Sequence, residues 1–135
     1  MFFRVCRQVL FLMGTTEGTI DMDASEFFNQ SPVFGMSRKE WEKVSEKRFQ
    51  EWVISTAKNT GWRIYHTHDS RRSVKGYPDL HLIRSDRQIF AELKSTKGVL
   101  SKDQKEWLSA LRSMIHNEVY LWRPSDWKVI EEKLK

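Results

Sequence analysis

Asp79, Glu92 and Lys94 are the residues whose types and spacing are best suited to chemistry. Leu80–Arg84 and Gln88–Lys94 read as two strands, with Ser85–Arg87 as a tight turn between them. A two-residue turn at Ser85-Asp86 sets Arg84 against Arg87. Paired residue numbers then keep a constant sum along the hairpin, and Asp79 with Glu92 keeps that sum. A four-residue turn gives the same register. The two acids therefore face each other on adjacent antiparallel strands, with Cβ atoms about 5 Å apart. Like charges so placed repel, and a hard divalent cation with oxygen ligands compensates. Lys94 lies two residues past Glu92 and projects from the same face. A lysine beside a metal-bound water orients that water and favours its deprotonation. The bland alternative is an exposed hairpin on which Lys94 merely neutralises an acid. Two features weigh against it. Gly76-Tyr77-Pro78 stiffens the approach to Asp79, and Leu80, Leu82, Ile89, Phe90 and Leu93 make this a core hairpin.

The surrounding elements follow from periodicity and caps. Ser37-Arg38-Lys39-Glu40 fits a capping box, and Trp41, Val44, Phe49, Trp52, Val53 and Ala57 continue it at helical spacing. One helix is expected there, stopping at Asn59 and Gly61. Trp62–Thr67 alternates as a strand, and His68–Gly76 is a polar, basic loop. Ser101 with Gln104 starts a second capped helix, with a stripe of Trp107, Leu108, Leu111, Met114 and Ile115. Glu118–Trp122 reads as a short strand, and Pro124 with Ser125 starts a last helix carrying Trp127, Ile130 and Leu134. The order α-β-β-β-α-β-α implies an α/β fold with a mixed central sheet flanked by helices. Glu46 falls on the edge of the stripe Phe49, Gln50, Val53 and Ala57, where an uncompensated acid is awkward. Gln104 heads the stripe of its own helix.

Pro78-Asp79 followed by Glu92-Leu93-Lys94 resembles the PD-(D/E)xK nuclease signature. The match is closer to its VRR-NUC branch. It runs through Gly76-Tyr77-Pro78-Asp79-Leu80, Ala91-Glu92-Leu93-Lys94, Gly98, Ser101, Gln104, Trp107-Leu108 and Arg123-Pro124. It spans Glu46 to Lys135. The short signature alone is weak; the ordered set with its following helix is fairly specific. The resemblance implies a restriction-endonuclease-like α-β-β-β-α-β core. It implies Mg²⁺ or Mn²⁺ on Asp79, Glu92 and the Leu93 backbone carbonyl, with Lys94 positioning the attacking water. Glu46 would match the acid of the first helix, reaching the metal directly or through water. Gln104 would match the glutamine of the helix after the motif, and it also fits as cap partner of Ser101.

Other residues frame the substrate. Arg71, Arg72 and Lys75 precede the acid pair and Lys97 and Lys102 follow it, so they are candidates for phosphate contacts without sequence readout. His66 and His68, with Asp69, read as strand-end residues rather than a transition-metal site. His81 shares the face of Asp79, with a packing role, and the six tryptophans read as core. The net charge of +5 suits a polyanionic partner but does not demand one. The single cysteine, Cys6, permits neither an internal disulfide nor a cysteine zinc site, which fits a reducing cytoplasm. The opening MFFRVCRQVLFLM is interrupted by Arg4 and Arg7 and is too short to span a bilayer. Residues 1–36 are expected to be an arm and 37–135 the domain. The expected activity is metal-dependent hydrolysis of DNA, selective for branched structures such as a Holliday junction and carried out by a homodimer. A non-cleaving branched-DNA module and an RNA-directed nuclease are the rivals.

Overall fold

One serine, Ser45, divides what periodicity reads as one helix. The computed structural model describes residues 35–67 and 72–135, all within one compact unit, Gly35–Lys135. All of the proposed arm but Gly35 and Met36 lies outside them. Helix α1 (Arg38–Trp41) begins at Ser37, whose backbone N–H donates to the Glu40 carboxylate at 2.6 Å. It then stops. Helix α2 (Glu46–Asn59) starts afresh at Ser45, whose hydroxyl accepts from the Arg48 N–H at 3.2 Å. The single long helix expected here is therefore corrected to two. Ser45 satisfies a free helix donor locally, and α1 buries nothing that would hold a continuous helix together. From α2, Phe49, Val53 and Ala57 are wholly buried.

Strands β1 (Arg63–His66), β2 (Leu80–Arg84) and β3 (Arg87–Leu93) form an antiparallel meander. The expected Trp62–Thr67 strand is thus trimmed at both ends, and β3 is shifted by one residue. Arg84 pairs with Arg87 and Leu80 with Ala91, as the hairpin arithmetic requires. The turn holds Ser85 at φ 55, a left-handed conformation. Strand β4 (Asn117–Trp122) lies parallel to β3. Parallel neighbours need a crossover, and helix α3 (Lys102–Arg112) provides it. The sheet order is β1-β2-β3-β4.

On one face lie buried Leu80, Leu82, Ile89, Ala91, Leu93 and Trp122; helix α2 packs on the sheet and against helix α4 (Trp127–Leu134). Trp127 joins the two helices through edge contacts with Phe49 and Trp52, at 6.5 and 6.1 Å between centroids. The Trp62 indole donates to the Leu134 carbonyl at 2.9 Å. The other face carries Phe90 under Tyr77, and Tyr77 meets Trp107 of α3 at 5.1 Å.

Two helix boundaries differ as well. Helix α3 ends at Arg112, so Met114 and Ile115 leave the expected stripe and are 61% and 92% exposed. Asn117 donates to the Leu111 carbonyl at 3.1 Å and helps close that end. Pro124–Asp126 forms a 3-10 turn, and α4 begins only at Trp127. Among the described residues, no helix is long and apolar enough to cross a membrane.

Candidate active site

The β2–β3 register, continued one pair beyond Leu80, sets Asp79 against Glu92. Asp79 stays tied to both neighbouring strands. Its carbonyl accepts from the Thr67 N–H at 3.2 Å, and its Oδ2 accepts from the Leu93 N–H at 2.8 Å. The second contact is invisible to pattern reading, since it joins a side chain to the backbone of another strand. Gly76 and Tyr77 prepare this position. Gly76 has φ 82, and a Cβ there would sit 2.4 Å from the Asp103 carbonyl carbon, so the loop can lie against the start of α3 only with glycine. Burial pushes the Tyr77 phenol up, helped by nearby Tyr65.

Glu92 is the single fully buried charged side chain among the described residues. Its Oε1 accepts from Gln104 Nε2 at 2.5 Å and from Lys94 Nζ at 2.9 Å. Its Oε2 is buried without a hydrogen-bond partner there. Loss of hydration, opposed by the Lys94 hydrogen bond and reinforced by the Asp79 and Glu46 charges, raises its pKa to about 7. Asp79 is also pushed up by burial, with Glu46 adding to the rise and the Leu93 N–H and Lys94 opposing it. Burial alone would lower the Lys94 pKa. The hydrogen bond to Glu92 and the charges of Glu92, Glu46 and Asp79 outweigh that and raise it. Lys94 is therefore a cation at neutral pH, held by the acid two residues before it.

Two helices complete the cluster. Gln104 caps its helix with Ser101 and also touches the acid pair. Its backbone N–H donates to Ser101 Oγ at 3.2 Å, its Oε1 accepts from Ser101 N at 2.8 Å, and its amide nitrogen reaches Glu92. Glu46 is the first residue of α2, placed there by the Ser45 cap. Its Oε1 accepts from the Ser95 N–H at 3.2 Å. A Cβ on Gly98 would lie 3.1 Å from that oxygen and from Lys94 Cδ. Glu46 thus borders the cluster at its solvent side. Arg123, quoted in the resemblance without a role, holds the loop after β3 by donating to the Ser95 and Thr96 carbonyls at 2.6 and 3.3 Å.

A buried carboxylate oxygen without a donor, beside a second carboxylate, fits a hard cation better than it fits solvent. Asp79 and Glu92 are the side chains that could hold one here, and the Leu93 carbonyl is the further ligand that the resemblance names. Among the described residues, no three His, Cys, Asp or Glu side chains form a ready metal cluster, so such a site rests on two acids and the backbone. Of the candidate phosphate contacts, Arg72, Lys75, Lys97 and Lys102 are exposed, and Arg71 lies outside the described residues, as do His68 and Asp69. Lys97 adjoins Gly98 at the cluster. Lys75 lines a shallow cavity of about 290 Å³ with Asp103, Glu106 and Trp107. Lys102 pairs loosely with Glu106 at 3.8 Å. His81 stacks on Phe90 at 4.1 Å and its Nε2 meets Gln88 Oε1 at 3.2 Å, a packing position.

A family model described as the VRR-NUC domain matches residues 16–121. The match begins upstream of the resemblance read from Glu46 and stops short of Arg123-Pro124 and α4. No curated protein and no solved structure matches the chain.

Proposed function

The chain belongs to the VRR-NUC family, within the PD-(D/E)xK nuclease superfamily, and from that premise we propose that it cuts DNA by metal-dependent phosphodiester hydrolysis. The observation that carries this reading is the Glu92 carboxylate, wholly buried, with Oε2 unpartnered and Asp79 alongside. In this reading Asp79, Glu92 and the Leu93 carbonyl hold Mg²⁺ or Mn²⁺, with Glu46 reaching it through water. Such a cation supplies Lewis-acid stabilisation of phosphoryl charge and a more acidic bound water. Lys94 orients the attacking water through its ammonium group. Gln104 holds Glu92 in place and leaves Oε2 to point at the ligand. Water attacks phosphorus as the 3′-oxygen leaves, the water's proton passing to solvent and the departing oxygen taking one up from solvent, while Lys94 and Lys97 offset the charge that develops nearby.

The finer reading is structure selectivity. Exposed Arg72, Lys75, Lys97 and Lys102 suit phosphates, and the described fold has no separate recognition element. Branched DNA is the proposed substrate, and paired cuts at a junction would require a homodimer. The test is cleavage of single-stranded, duplex, flap and four-way DNA, and their RNA counterparts, with Mn²⁺, Mg²⁺ or EDTA. Cutting should need the metal, favour the branched DNAs and vanish in Asp79→Ala. A panel left intact in every metal would reject the reading.

A further inference from the structure

The sheet face that carries the acids is only partly covered. Tyr65 pairs with His81 across β1 and β2, and the Thr67 N–H bonds the Asp79 carbonyl one row on. Opposed residues share a face, so Tyr65, His81, Asp79, Phe90 and Glu92 all point the same way. Tyr65 is a diagonal neighbour of Asp79, a relation that spans about 7–8 Å. Helix α3 and Tyr77 roof the part over Phe90, which is 5% exposed. Tyr65 is 60% exposed and Ile83 44%, and Arg63, two residues before Tyr65, is exposed on the same face. Single exposed apolar residues are ordinary. An exposed ring one row from the acid pair, backed by a fixed stack, is a different matter. Behind Tyr65, His81 lies flat on Phe90 with 14° between planes and is anchored by Gln88.

The cations that flank this ring along the chain point to its occupant. Arg63 flanks it on the strand, and Arg72 and Lys75 stand on the loop leading from β1 to Asp79, all exposed. The partner is therefore polyanionic and offers a flat apolar surface. A base inside a duplex has both faces covered by its neighbours, whereas an unpaired base has one to give. We propose that Tyr65 is a stacking platform for an unpaired base next to the scissile phosphate, with Arg63 contacting an adjoining phosphate. This rests on the nuclease reading and deepens it: selectivity for branched DNA arises because the base beside the cut must be unstacked.

The test measures binding apart from cutting. A fluorescent duplex with a single-stranded flap and the same DNA as a blunt duplex are titrated with the full chain in EDTA, followed by anisotropy. Tyr65→Ala should weaken flap binding by about tenfold or more, as loss of one base–aromatic stack does, and leave blunt-duplex binding unchanged. Tyr65→Phe should restore the flap preference, because the ring and not the hydroxyl carries it. Arg63→Ala should weaken both DNAs alike and flatten the salt dependence. Equal effects of Tyr65→Ala on both DNAs, or none on either, overturn the platform. So does conversion of a dimer to a monomer by Tyr65→Ala in sedimentation, which would assign this face to a second copy of the chain. Cleavage in Mn²⁺ is scored in parallel. A flap-selective Tyr65 effect without any cleavage rejects hydrolysis and not the platform; intact cleavage without the Tyr65 effect rejects the platform and not hydrolysis.

Discussion

Strand β3 carries an ionic group at each end, and the two are built in opposite ways. At the hairpin end, Arg87 grips Glu118 of β4 with two donors, at 2.7 and 2.9 Å, and the Tyr120 hydroxyl adds a third at 2.9 Å. Beside them Gln88 donates to Asn117 at 2.7 Å. Both charged partners keep some solvent, and the Arg87 hydrogen bond holds the Glu118 carboxyl below its ordinary range. At the other end Glu92 is buried, leaves Oε2 without a donor and is pushed up instead. A paired, half-exposed acid stabilises its own charge. A buried, half-satisfied acid is costly as it stands and gains from a cation. Burial and hydrogen bonding, reflected in the opposite directions of the two pKa shifts, separate a structural ion pair from an acid suited to a cation, although both belong to one sheet.

Substitution should break this comparison most sharply in activity. Glu92→Gln keeps the shape of the side chain and removes the charge. Cleavage should fall by roughly a thousandfold or more, the scale expected when metal-based charge stabilisation is lost, whereas Glu118→Gln should stay within a few-fold of the parent. Single-turnover rates in Mn²⁺ on the same flap DNA measure both. Comparable losses in the two variants would erase the distinction.

Stability against pH comes next. The folded Glu92 pKa, about 7, lies above the ordinary value of 4.5. A group raised in this way favours folding below its unfolded pKa and loses that contribution as pH rises through the folded value. The metal-free protein should therefore lose on the order of 3 kcal/mol from this one group between pH 4.5 and 8. Glu118 works the other way, with a contribution present above its unfolded pKa and lost on acidification. Denaturant titrations of the parent and Glu92→Gln across pH 4 to 8 isolate the term. The difference between them should grow with pH, and a flat difference would count against a strained Glu92.

Metal should reverse that penalty. At a hundred times its dissociation constant, Mn²⁺ should stabilise the fold by about 2.7 kcal/mol, or roughly 10 °C in Tm. Asp79→Asn should show little of this shift, and Arg87→Ala all of it. The smallest effect belongs to the hairpin end itself. Arg87→Ala in EDTA should cost about 1 kcal/mol or less, since a partly exposed pair contributes little. A larger loss would mean that this end does more than close the sheet.

The chain by itself determined the hairpin and the shared face of Asp79, Glu92 and Lys94. A tight turn and a period of two leave no freedom once the register is set, and the observed pairs follow it. The caps at Ser37 and Ser101 were equally legible, because their partners lie three residues away. The break that Ser45 introduces was missed, since a helical stripe running through it masked a local cap. Tertiary structure alone decided which groups the acids meet. Glu46 reaches Ser95 across 49 positions of sequence, Asp79 bonds a backbone N–H of the next strand, and Gln104 joins Glu92 from the helix above. The loss of water around Glu92, which gives the pair its chemical character, comes from helices packed against both faces of the sheet. No spacing within one strand records that burial, because it is a property of what surrounds the strand.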